Sequence, residues 1–220
     1  MKLIRHIVFG RKAEILNKVI VISGITKGLG AEIYNTLTDY NIAGISRNTE
    51  EFENDCRLIF KGDISNPADV QTFFNKIGAK WGKIDVLINN AGIVGDTKSL
   101  IWYDENELNE MIDINIKGTF FMVQESILWL YNGGLIINIG STRSITGAPK
   151  KSIYTMTKFA LRGLTQCINA EYNPINIYST IICPGNFLTV DKIEVAKIIK
   201  HIIELPIGCL IPEIVIGGMI

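Results

Sequence analysis

At 220 residues the chain has the size of one α/β domain. Hydrophobic residues make up 47% and charged residues 20%, which excludes an intrinsically disordered chain and allows a core without disulfides or metal. Lys+Arg (22) equal Asp+Glu (22), so the basic excess of a nucleic-acid-binding protein is absent and no nucleic-acid partner is expected.

About 17 residues precede the first strand. Arg5 and His6 interrupt their apolar stretch, unlike a secretory signal peptide, and no run of 18 apolar residues predicts a membrane-spanning helix. Strands are predicted at 18–23, 42–46, 57–60, 84–89, 134–140, 176–182 and 213–216. Several are continuous apolar runs, as expected for strands covered on both faces. Helices are predicted at 29–40, 67–80, 104–130, 152–172 and 191–204, with Pro67 and Asp191 at helix starts. Only about ten residues join the second and third strands, so any helix there is short. No repeat or linker divides the chain. Strand–helix alternation predicts α/β architecture: a doubly wound parallel sheet of about seven strands, one domain over 1–220 with 1–17 as an N-terminal extension. Cys56, Cys167, Cys183 and Cys209 form no CxxC pair and no ligand spacing with a histidine, which predicts mostly buried reduced thiols in a cytoplasmic protein and no metal site.

The first strand runs into Gly24, Gly28 and Gly30, followed by a helix. Glycines here permit a tight turn, a close backbone approach to a pyrophosphate and close helix–sheet packing, with the anion on the free N–H groups of the helix. The spacing is GxxxGxG. From this turn onward the chain resembles the short-chain dehydrogenase/reductase family, in its compact single-domain, β-ketoacyl reductase-like branch with the Rossmann fold. Asn89-Asn90-Ala91-Gly92 is similar to the family's NNAG, Asn115 in DINIKG to its asparagine, and Tyr154 and Lys158 to its YxxxK, with Ser141 placed 13 residues before Tyr154. Pro184 and Gly185 with Thr189 resemble PGxxxT, and Asp63 resembles the aspartate that contacts adenine. The resemblance covers 18–190 in order and implies a nicotinamide-nucleotide site that includes Thr26, Lys27, Leu29, Ile64, Asn90, Ala91, Gly92, Tyr154 and Lys158.

The second strand ends at Ser46 and Arg47, where an NAD-selective site usually places a carboxylate for the ribose 2′-OH. Arg47 and Lys27 suit a 2′-phosphate instead, so NADP(H) is the expected cofactor. Glu50 and Glu51 follow and offset part of that charge.

A tyrosine and a lysine four apart on one helix usually mean a packed ring and a solvated amine. Register with Ser141, Asn115 and the glycine turn gives them another meaning. An ammonium beside a tyrosine is expected to lower its pKa of about 10 toward acid/base use. By the resemblance, Tyr154 is the general acid/base, Ser141 positions the substrate oxygen, Lys158 grips the nicotinamide ribose, and Asn115 holds a water relaying protons to Lys158. Ser144 competes with Ser141 but lacks the 13-residue offset.

The expected activity is NADPH-dependent interconversion of a ketone and an alcohol, on a β-ketoacyl thioester, carrier-bound or free, or a sugar or secondary-metabolite ketone. The alternative is a non-catalytic NADP(H)-binding sensor or partner subunit. The family resemblance implies a homodimer or homotetramer; no membrane partner is expected. His6 and His201 match no catalytic position. Trp102 and Tyr103 border either a substrate pocket or a helix interface. Arg143, Lys150 and Lys151 form either a solvated loop or an attractor for a substrate carboxylate or phosphate. Thr189 runs almost directly into the 191–204 helix, where the family usually has a longer substrate-covering segment, so an open cleft is expected.

Overall fold

The computed structural model describes residues 17–49 and 57–217. The rest of the N-terminal extension with His6, and Glu50, Glu51 and Cys56, lie outside the described residues.

Seven strands form one parallel sheet: β1 (Val19–Ser23), β2 (Asn41–Ser46), β3 (Leu58–Lys61), β4 (Ile84–Asn89), β5 (Leu130–Ile139), β6 (Ile177–Pro184) and β7 (Glu213–Ile216). Their order is β3-β2-β1-β4-β5-β6-β7. The helices are α1 (Gly28–Thr36), α2 (Pro67–Trp81), α3 (Glu105–Ile112), α4 (Thr119–Ile127), α5 (Ser152–Tyr172) and α6 (Lys192–Glu204).

The apolar strands split their side chains between two cores. Ile20 and Ile22 point to one face and pack with Ile33 of α1, Leu37 just after it, and Ile199 and Ile203 of α6. Val19 and Val21 point to the other, among Phe73, Phe74 and Ile77 of α2, Met122 of α4 and Ile168 of α5. Both faces are covered, so neither shows the polar alternation of a half-solvated sheet. Strand order reverses between β1 and β4, the switch point at which a doubly wound sheet places its binding crevice, at the carboxyl ends of the strands.

Helix starts follow their local chemistry. Asn66 Oδ1 accepts from Ala68 N–H (3.1 Å) ahead of Pro67. Asp191 Oδ1 accepts from Ile193 N–H (2.8 Å) and opens α6.

The helix expected over 104–130 is corrected. It divides into α3, a π-helical turn at Asp113–Gly118, and α4, and α4 stops at Ile127. A π turn needs no break in the apolar pattern, so the sequence conceals it. Leu130 then pairs with Ile84, which starts β5 four residues earlier than expected, ahead of a register shift. The cysteine expectation is also corrected: Cys183 is buried, whereas Cys167 and Cys209 are exposed.

Candidate active site

The loops after β1, β2, β3, β4, β5 and β6 line one cleft of about 810 Å³. The β1 and β4 loops are bound together by hydrogen bonds. Ser23 Oγ accepts from the N–H groups of Asn90 and Ala91 (3.1 Å each), and Asn90 Nδ2 donates to the carbonyls of Ser23 (3.1 Å) and Gly24 (2.9 Å). The three glycines have separate reasons. Gly24 has φ +71°, and a Cβ there would meet Ala91 Cα at 2.9 Å. A Cβ on Gly30 would lie 2.0 Å from Gly24 O and 2.5 Å from Asn90 Nδ2. Gly28 has φ +60° and lines the cleft, and a Cβ there would enter open space. Lys27 is the N-cap of α1 and gives it no side-chain cap, and no acidic residue occupies the first turn. The helix therefore presents its positive end and free N–H groups to the cleft.

Thr26 Oγ1 and Ser46 Oγ are hydrogen-bonded (3.1 Å), joining the glycine turn to the end of β2. Lys27 and Arg47 line the cleft beside them, and neither forms an ion pair among the described residues. Asp63 lines the same end, its Oδ1 accepting from Ser65 N–H (2.9 Å) and Ser65 Oγ (2.8 Å). Leu29, Ile64, Ala91, Gly92, Pro184 and Gly185 also line the cleft, as expected. Gly30 does not, because it is packed behind the turn. Thr189 does not either: it is exposed, and its hydroxyl donates to Asn186 O (3.0 Å) within a turn.

At the β5 end, Ser141, Tyr154 and Lys158 share one wall. Ser141 caps a short 3-10 turn, Thr142–Ser144. Its Oγ accepts from Arg143 N–H (3.2 Å), while Ser144 Oγ accepts from Ser141 N–H (3.2 Å). Ser144 is fully buried behind this wall, so Ser141 is the serine that faces the cleft. Lys158 is buried, donates to Ile139 O (2.8 Å), and lies 5.8 Å from the centre of the Tyr154 ring. Burial pushes its ammonium down to about 8. Burial also pushes the Tyr154 phenol up, against the opposing pull of the Ser141 hydroxyl and the Arg143 charge. Among the protein's own groups the expectation of a lowered tyrosine pKa is corrected, because desolvation of a phenolate outweighs these partners.

Asn115 lies in the π-helical turn and does not line the cleft. Its amide clasps Ile93, accepting from Ile93 N–H (2.8 Å) and donating to Ile93 O (2.8 Å) and Thr157 Oγ1 (3.1 Å). That clasp fixes the loop after β4 next to Lys158: a Cβ on Gly92 would lie 3.1 Å from Asn115 Oδ1 and 3.7 Å from Lys158 Nζ.

Val94, Phe187, Arg143, Lys151 and Lys192 also line the cleft. Arg143 Nη1 donates to Gly147 O (2.9 Å). Trp102 is exposed and does not line the cleft, nor does Tyr103, whose hydroxyl donates to Asp96 O (2.8 Å) and Lys150 O (3.2 Å). His201 is exposed on α6, away from the cleft. No helix among the described residues is long and apolar enough to cross a membrane.

The family model for short chain dehydrogenases matches residues 18–197. The chain belongs to the short-chain dehydrogenase/reductase family. It is 31% identical over 180 residues to a 3beta-hydroxysteroid dehydrogenase of Mediterraneibacter gnavus, covering 76% of this chain and 65% of that protein, just under two thirds of its length. It is 28% identical over 204 residues to a 3-oxoacyl-acyl-carrier-protein reductase of Buchnera aphidicola, covering 86% and 82%. The structure of serine dehydrogenase from Escherichia coli superposes with a TM-score of 0.85 at 24% identity, covering 90% of this chain and 96% of that one, and shows the shared fold.

The family's cofactor is a nicotinamide dinucleotide, and the cleft fits one: Gly28 leaves room for a close backbone approach beside the uncapped start of α1. Within this short-chain dehydrogenase/reductase, Ser23 and Ser144 are supports that sequence reasoning missed. Ser23, the last residue of β1, was open to suspicion as a polar residue closing an apolar strand. Ser144 had no signal beyond its nearness to Ser141.

Proposed function

We propose that this chain reduces a ketone to an alcohol with NADPH, with Tyr154 as the general acid. The observation that carries the reading is the shared wall of Ser141, Tyr154 and Lys158 beside a glycine turn fit for a dinucleotide. When bound, the nucleotide supplies hydride to the carbonyl carbon. Ser141 hydrogen-bonds the carbonyl oxygen and orients it. Tyr154 donates its phenolic proton to that oxygen; burial favours the protonated form that a reductase needs. Lys158 keeps its charge below pH about 8, and that charge stabilises the phenolate left after transfer. Asn115 acts as a positioning residue, because its amide is engaged by Ile93 and Thr157. Arg47 and Lys27 hold the 2′-phosphate, with the Thr26 and Ser46 hydroxyls between them. Leu188 is exposed and the chain turns sharply at Asn186 into α6, which supports an open cleft and a bulky or carrier-borne substrate. The named activities of the relatives, a hydroxysteroid and a 3-oxoacyl group, differ too much to select one. Exposed Phe120, Met156 and Phe159 on α4 and α5 support a homo-oligomer, to be checked by light scattering.

The test is Tyr154→Phe assayed two ways. NADPH binding by fluorescence is expected to persist while NADPH oxidation by a panel of ketones is lost. Binding of NADPH by the wild type with no oxidation by any ketone would favour a non-catalytic sensor.

A further inference from the structure

Six cations line the cleft, against one carboxylate among the described residues, Asp63 at the β2–β3 end. The proposed function uses Lys27 and Arg47 for the 2′-phosphate and Lys158 beside Tyr154. Arg143, Lys151 and Lys192 remain. None of the three forms an ion pair among the described residues.

Their placement separates them from the nucleotide phosphates. Arg143 follows β5, and β5 is two strands from β1 in the sheet. At a strand spacing of about 4.8 Å, the Ser141 loop starts roughly 10 Å from the glycine turn. Arg143 is two residues beyond Ser141, its guanidinium is tethered to Gly147 O (2.9 Å), and its charge reaches the Tyr154 phenol. Lys151 is the N-cap of α5, three residues before Tyr154, and both line the cleft. Neither a side-chain cap nor an acidic residue covers the first turn of α5, so the positive helix end adds to the same field. Lys192, the first residue of α6, also lines the cleft, 5.8 Å from the centre of the Phe187 ring. Among the described residues no carboxylate neutralises these three cations. An anion there gains charge-assisted hydrogen bonds, and a guanidinium binds it in bidentate fashion.

We propose that the ketone reduced by this chain carries a carboxylate or phosphate close to the carbonyl, held by Arg143 and Lys151. This rests on the reductase reading. The substrate class is a 2- or 3-oxo acid or a phosphorylated ketone, and the anionic group orients the carbonyl toward Ser141 and Tyr154.

Matched pairs that differ only in charge test it: 3-oxobutanoate against its methyl ester, and dihydroxyacetone phosphate against dihydroxyacetone. NADPH oxidation is followed for turnover. The Tm of the NADP+ complex is followed for binding. The anionic member of at least one pair is expected to have a kcat/KM about tenfold or more above its neutral partner; which pair shows it tells carboxylate from phosphate. High salt is expected to erode the advantage. The double variant Arg143→Gln/Lys151→Gln is expected to lose about tenfold on the anion, through KM, and much less on the neutral ketone. Lys151→Arg, which keeps the charge, restores the preference. Neutral ketones reduced as well as the anions, with no greater Tm shift from the anions, overturn the proposal and leave the reductase reading standing. An equal kcat loss on both members in the double variant also overturns it, because Arg143 then acts only on Tyr154. A wild type that binds no NADPH brings down the reductase reading itself.

Discussion

At the β1 end of the cleft the shape comes from main chain. Gly24, Gly28 and Gly30 carry no side chains, and Ser23 and Asn90 serve to fix backbone atoms. Two strands away, at the β5 end, side chains line the wall: a phenol, a buried ammonium, a hydroxyl and a guanidinium. A substitution at the first end deforms the turn and acts through folding and nucleotide affinity together. At the second it removes a charge or a proton and leaves the backbone in place. Binding and chemistry are therefore expected to separate along the cleft.

Tyr154→Phe probes that separation most strongly. Loss of a general acid lowers kcat by roughly 10²- to 10⁴-fold, while NADPH affinity measured by fluorescence stays within about twofold. A matching loss of affinity would break the division. Gly30→Ala probes the other end. Its Cβ would lie 2.0 Å from the Gly24 carbonyl, a backbone atom with nowhere to go. Urea denaturation is expected to show a loss of about 3 kcal/mol or more, with nucleotide binding lost as well.

Lys158→Met separates function from stability. The buried ammonium costs the fold on the order of 3 kcal/mol at neutral pH, because its pKa falls from 10.5 to about 8. Activity is expected to vanish while Tm rises by a few degrees. The cost is fully present below pH 8, where both states are charged, and disappears as pH rises to about 10.5. The Tm gain of the variant therefore shrinks across that window. In the wild type the same titration makes ketone reduction fall above pH about 8, as the Lys158 charge is lost. A reduction rate that stays level to pH 10 contradicts this assignment.

Legibility in the sequence follows the same division. The glycine turn was readable because positive φ and close approach admit little else, and because it falls between an apolar strand and a helix. Tyr154 and Lys158 stood out because a spacing of four puts both on one helix face, in register with Ser141, Asn115 and the glycine turn. The parallel sheet was readable because its strands are apolar on both faces. The π turn at 113–118 was not, since i→i+5 bonding leaves no compositional mark. Nor was the clasp of Asn115 on Ile93, a contact between residues 22 apart whose geometry only the fold supplies. The direction of the Tyr154 shift escaped too: motif spacing reveals a neighbouring ammonium but not the burial that outweighs the Ser141 hydroxyl and the Arg143 charge.

The most direct measurement of the central claim is a fluorescence titration of NADPH and NADH against the wild type and Arg47→Ala. The account predicts that the wild type prefers NADPH by about tenfold or more, and that the variant loses this preference with NADH affinity little changed. Equal affinity for both nucleotides in the wild type, or binding of neither, contradicts it.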